Sequence, residues 1–223
     1  MLISYQYSFI FIHVYKVAGT SIESALNKYT LPPYESTKTK NLQQTGYLPG
    51  SENFRGHIKA REVRAELGNE AFERFFKFAF VRNPWDWQVS LYQYMLQTQE
   101  HPQHKLINSM AGFAEYLEWR ISKEKISQKP FVSDQQGNLI VDFVGRYENL
   151  QADFQKVCHQ LGITEALLPH LNRSQHLDYR EYYNEYTQKL IFEHFQEDIE
   201  LFGYDFGGNR KEQGVPSFQG WEA

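Results

Sequence analysis

Hydrophobic residues along this chain fall into two kinds of run. Some runs are short, unbroken and rich in aromatic and β-branched side chains, which predicts buried strands. Others recur every three or four residues, which predicts amphipathic helices. Phe9 to Val14 is the first unbroken run. Tyr15 to Gly19 then turns the chain. Ile22, Ala25 and Leu26 give the following helix an apolar face, with Thr20 and Ser21 where an N-cap belongs. Phe75 to Val81 repeats the pattern. Arg82-Asn83-Pro84 breaks that strand, Pro84 suits the first helical position, and Trp85, Val89, Tyr92 and Leu96 continue at helical spacing. Two strand–turn–helix units in one chain predict an α/β fold: a central parallel sheet flanked by helices in three layers.

The remaining pattern is less regular. Residues Thr30 to Arg55 carry Pro32, Pro33, Gly46, Pro49 and Gly50 without periodicity, so they read as a long loop. Ile58, Val63 and Leu67 predict a short helix closed by Gly68, with His57 just before it. A polar break over residues 101–105 precedes a helix from Phe113 to about Ile121. Phe131-Val132, a Gly137-Asn138 turn and Leu139 to Val144 read as a hairpin. Leu150 to Leu161 is a helix ended by Gly162. Glu181 to Phe202 reads as one long helix, with Tyr186, Leu190, Ile191, Phe195, Ile199 and Phe202 facing a core. A Gly-rich tail follows from about residue 205. No repeat, low-complexity block or linker interrupts the chain, so residues 1–223 are expected to form a single domain.

Composition narrows the class. With 223 residues and 41% hydrophobic content, the chain can bury a sizeable core. A formal net charge of -4 argues against nucleic acid as a general partner. The single cysteine, Cys158, sits in a helical pattern and reads as a small core residue. The apolar N-terminus lacks a basic region and a cleavage site, which argues against a signal peptide. No segment has the run of about eighteen apolar residues that a membrane span needs. A cytoplasmic protein is the expectation.

The first turn carries the clearest chemistry. A glycine turn between strand and helix aims backbone N–H groups and the positive end of the helix dipole at one point. Lys16, Thr20 and Ser21 add a cation and two hydroxyls, which together make an anion site. It is not Walker A, whose lysine follows the second glycine; here Lys16 comes first. A kinase-like enzyme would also need a metal-binding aspartate, and none is in place. Arg82 ends a predicted parallel strand, where α/β proteins bind ligands, and its fork suits a phosphate. Ser90 lies two helical turns on. The two turns would then hold two anionic groups of one ligand. The plainer alternative is an ordinary turn with a solvated Lys16, a surface Arg82 and a neutral Ser90.

FIHVYKVAGTSI resembles the 5′-phosphosulfate loop of sulfotransferases, F-x-H-x-P-K-T-[AG]-G-[TS]-[ST]. FAFVRNPWDWQVSLYQY resembles their 3′-phosphate motif, an arginine before Asn/Asp-Pro with a serine eight residues on. DFVGRYENLQADFQKVCHQLGI, LPHLNRSQHLDYREYY and FGYDF are similar to the carbohydrate-type, family 2-like branch. Tyr15 replaces the usual proline, Val17 the usual threonine, and Trp87 stands where many relatives have arginine. The resemblance implies a P-loop-like three-layer α/β fold, and sulfuryl transfer from 3′-phosphoadenosine 5′-phosphosulfate, without a metal, to a small-molecule or carbohydrate hydroxyl or amine. A bacterial soluble member suits the chain. Lys16, Val17, Ala18, Gly19, Thr20 and Ser21 would hold the 5′ end, with Lys16 also catalytic, and Arg82 and Ser90 the 3′-phosphate. Arg146 and Ser174 are weaker donor-binding candidates, with salt bridges to Glu148 or Asp178 as their plainer reading. His57 is the first candidate base and Glu23 its rival, while His13 reads as structural. Trp85 reads as a core aromatic or an adenine platform. A non-catalytic module that keeps the donor fold is the rival from another class, and the presence of Lys16, Arg82 and Ser90 speaks against it.

Overall fold

A computed structural model describes residues 1–30, 57–123, 126–169 and 177–208. The expected loop over residues 30–55 beyond Thr30, Ser174, and the expected tail beyond residue 208 lie outside the described residues. By internal contacts the chain divides into two compact units. Among the described residues, 1–30, 57–81 and 128–169 belong to the first, and 82–123, 126–127 and 177–208 to the second.

The first unit holds a four-stranded sheet in the order β1-β2-β3-β4. These strands are Leu2–Ser4, Phe9–Ile12, Phe76–Val81 and Phe143–Arg146. β2 pairs parallel with β3, and β3 parallel with β4. All four residues of β2 and all but the first of β3 are buried, as the unbroken apolar runs require. Phe9, Phe11 and Phe78 form the aromatic centre, Phe11 and Phe78 stacking at 5.2 Å. The helices of this unit are α1 (Gly19–Leu26), α2 (Ala60–Leu67), α3 (Asn69–Glu73), α7 (Lys129–Val132) and α8 (Leu150–Gln160). The expected α/β class stands: a mostly parallel central sheet flanked by helices.

Lys77 is a polar intruder in β3, 3% exposed. Its ammonium meets Asp142 at 3.0 Å and Glu73 at 3.5 Å, and Asp142 also accepts its backbone N–H at 2.6 Å. A buried cation is tolerated when it is paired in this way.

The sheet and its turns depart from expectation at three places. β1 was not expected; it pairs antiparallel with β2 and makes the edge of the sheet mixed. Three residues are too few to show a period. The expected hairpin is also different. Residues 129–132 form a single helical turn, with Pro130 in its opening positions. Ser133 and Leu139 meet only as an isolated antiparallel bridge. Asp134 accepts the N–H groups of Gln136 and Asn138 and closes the turn locally. The strand itself starts later, at Phe143, and pairs parallel with β3. Third, α1 begins at Gly19, with Ala18 as its N-cap residue. Thr20 and Ser21 therefore lie inside the first turn and do not cap it.

The second unit holds α4 (Pro84–Gln97), α5 (His104–Asn108), α6 (Phe113–Lys123), α9 (Glu185–His194) and α10 (Gln196–Phe202). The single long helix expected over residues 181–202 is broken twice. Tyr179–Tyr182 is a 3-10 turn, and Asn184 caps α9 by accepting the Thr187 N–H at 2.9 Å. Phe195 leaves helical geometry and separates α9 from α10. Ile191, Phe195, Ile199 and Phe202 are buried as expected, but Tyr186 is 57% exposed. Trp87 is fully buried edge-on to Phe195.

Candidate active site

In the first unit, the turn between β2 and α1 has an unusual backbone. Lys16 and Ala18 lie in the left-handed region, at φ 62° and 66°, and Val17 between them does not. Left-handed geometry costs a non-glycine residue roughly 1 kcal/mol or more. Alternating hands along a turn make successive N–H groups converge into an anion-binding hollow. No side chain caps α1 and no acidic residue lies in its first turn. Val17 is buried beneath this turn, and Thr20 is exposed.

Gly19 is required for space rather than for its torsion angles. A Cβ on Gly19 would fall 1.8 Å from Nε2 of His13. The His13 ring thus packs directly on the loop. Its Nδ1 donates to the Glu23 carboxylate at 3.0 Å, which also accepts the Met1 amine at 2.6 Å. Burial pushes the Glu23 carboxyl up, but the hydrogen bonds and charges of His13 and the amine outweigh it and hold it at about 2. Such a carboxylate is a weak proton acceptor.

His57 also meets His13. The His13 carbonyl can only accept, so Nδ1 of His57 carries the proton in their 3.0 Å bond. In the neutral ring, Nε2 is then the site that takes up a proton. His57 is exposed by area, yet one flank is dry. It meets His13 edge-on at 4.7 Å and Tyr15 at 5.3 Å. That partial burial lowers its pKa from the ordinary 6.5 and outweighs the raising effects of its backbone bond and of Glu23.

The second unit carries the other predicted anion reader. Asn83 caps α4 by accepting the Trp85 N–H at 3.1 Å, and its amide reaches the Asp205 carbonyl at 2.9 Å. Arg82, just before this cap, is 3% exposed. Its Nε and Nη2 donate to the two oxygens of Asp86 at 2.7 and 2.8 Å. Ser90 is buried two turns further along α4.

Across proteins, the sequence profile of the sulfotransferase family matches residues 1–205. The chain belongs to the sulfotransferase family. An uncharacterized protein of Archaeoglobus fulgidus is 28% identical over 120 residues, covering 53% of this chain and 94% of the relative. No solved structure matches this chain.

The sulfotransferase holds its other candidates elsewhere. Arg146 ends β4, paired in register with Val81, and its N–H donates to Asp153 at 2.9 Å. Trp85 is a core aromatic, its indole N–H on the Gln188 carbonyl at 3.1 Å. Cys158 is buried, and burial pushes its thiol up to about 11, which suits an inert core residue. Sequence reasoning missed two things. One is the contact of His13 with Gly19, which no spacing reveals. The other is Asp86, whose place four residues after Arg82 was the available signal. Among the described residues no helix is long and apolar enough to cross a membrane.

Proposed function

We propose that this sulfotransferase moves a sulfuryl group from 3′-phosphoadenosine 5′-phosphosulfate to a hydroxyl or amine of an acceptor, most suitably a carbohydrate. The observation that carries the reading is the loop of Lys16 to Ser21: left-handed Lys16 and Ala18 on either side of Val17, a helix that starts at Gly19 with no acidic residue in its first turn, and a lysine within six residues. The donor supplies an activated sulfuryl group on a phosphate leaving group. Lys16 and the N–H groups of residues 17–21 hold that phosphate and stabilise the charge that grows on it. Each such donor is worth roughly 3 kcal/mol of barrier. Arg82 and Ser90 hold the 3′-phosphate, which gives the donor its register. Arg146 and Ser174 are secondary candidates for the same end.

His57 takes the acceptor's proton at Nε2. Its tautomer is set by the His13 carbonyl and its lowered pKa keeps it neutral near pH 7. Glu23 is assigned the supporting role, since its carboxylate is committed to His13. Carbohydrate rests on the family branch that the chain resembles.

Titration calorimetry with 3′-phosphoadenosine 5′-phosphate, in buffer with chelator, tests the donor assignment. Binding without metal is expected; no heat at high ligand concentration would overturn it. Transfer of labelled sulfate to a panel of sugars, phenols and amines then tests the acceptor class.

A further inference from the structure

Asp86 has both carboxylate oxygens on Arg82. It occupies the third helical position of α4, where an acidic side chain ordinarily turns back to the N-cap N–H. Here it reaches one residue further, to the residue before the cap. Both side chains are nearly enclosed, Arg82 at 4% and Asp86 at 13%. Pro84 and the Asn83 cap fix the backbone between them. Tyr183 closes the same turn by donating to the Trp85 carbonyl at 2.8 Å.

We infer that Asp86 is a positioning residue that aims the Arg82 guanidinium at the donor's 3′-phosphate. The inference rests on the assignment of Arg82 proposed above. A bidentate carboxylate fixes the plane of the whole guanidinium, and so the directions of its other three N–H groups. Without that clamp the arginine keeps its charge but loses the carboxylate that fixes its plane. Phosphate recognition by a fork depends on direction as well as charge. Asp86 also opposes a dianion by simple Coulomb repulsion, so the two roles predict opposite results. If Asp86 only neutralised Arg82, removing its charge would tighten phosphate binding. If it orients Arg82, removal weakens it.

The test compares affinities for 3′-phosphoadenosine 5′-phosphate and adenosine 5′-phosphate, which differ only in the 3′-phosphate. Asp86→Asn should cut the ratio of the two affinities roughly tenfold, the value of one charged hydrogen bond, and leave adenosine 5′-phosphate binding unchanged. A merely structural loss would lower both affinities together. An unchanged or larger ratio overturns the inference. Asp86→Ser gives the same comparison should the asparagine variant not fold. Arg82→Ala separates the two proposals. If it collapses the ratio while the Asp86 variants do not, the positioning role alone falls. If it leaves the ratio intact, Arg82 does not read the 3′-phosphate and both assignments fall.

Discussion

At the scale of single residues, the site depends on groups that look ordinary in isolation. A lone histidine is weak evidence for a base. His57 becomes a specific candidate because the His13 carbonyl fixes its proton on Nδ1 and partial burial lowers its pKa. The sign follows directly. A base with a lowered pKa stays deprotonated to lower pH than an ordinary histidine, so the acidic limb of kcat/KM should have its midpoint below 6.5. His57→Ala should lose that limb and roughly 100-fold or more in turnover, with binding of 3′-phosphoadenosine 5′-phosphate unchanged by calorimetry. A variant of full activity would move the base elsewhere.

At the scale of elements, β2, its turn and α1 act as one part. His13 ends the strand region, packs on Gly19 and ties to Glu23 one turn into the helix. Glu23 has its pKa lowered from 4.5 to about 2, so the pair stabilises the fold above pH 4.5 and this contribution is lost as pH falls toward 2. A shift of that size sets a ceiling of about 3 kcal/mol. The Glu23 side chain keeps 31% of its exposure, and solvent screening reduces the value to about 1–2 kcal/mol. Glu23→Gln should therefore melt earlier than the parent at pH 7, and the gap should close between pH 4.5 and 2. A gap independent of pH would show that the ion pair is not its source. The same variant should retain the acidic limb assigned to His57.

At the scale of the whole molecule, each compact unit is assembled from segments that are not adjacent in sequence. The chain passes from β3 into Arg82 without a residue of linker. We propose on this basis that the two units unfold together as a single domain. Saturating 3′-phosphoadenosine 5′-phosphate, at a hundredfold excess over its Kd, should add about 2.7 kcal/mol. For a chain of this size that raises Tm by about 5–10 °C. Scanning calorimetry should show one transition that moves; two resolved transitions, only one of them moving, would divide the chain in two.

Much of this was legible in the sequence, and the reason is local. Phe9–Ile12 and Phe76–Val81 are buried by their own composition, and Pro84 after Asn83 starts α4 wherever it is placed. The order Lys16, Gly19, Thr20, Ser21 and the spacing of Arg82 and Ser90 carry the family resemblance in the sequence itself. The structure decided what depends on distant partners. β1 became a strand because β2 offered an edge, and the expected hairpin shrank to one antiparallel bridge at Leu139 while Phe143–Arg146 paired with β3. Residues 181–202 broke where Phe195 turns into the core. The proton position on His57, the low pKa of Glu23 and the need for a glycine at position 19 all involve His13, ten residues before Glu23 and 44 before His57. Composition and spacing determine which elements form and which chemical groups a chain carries. Only tertiary packing determines which groups meet, and so which of them are charged, aimed or buried.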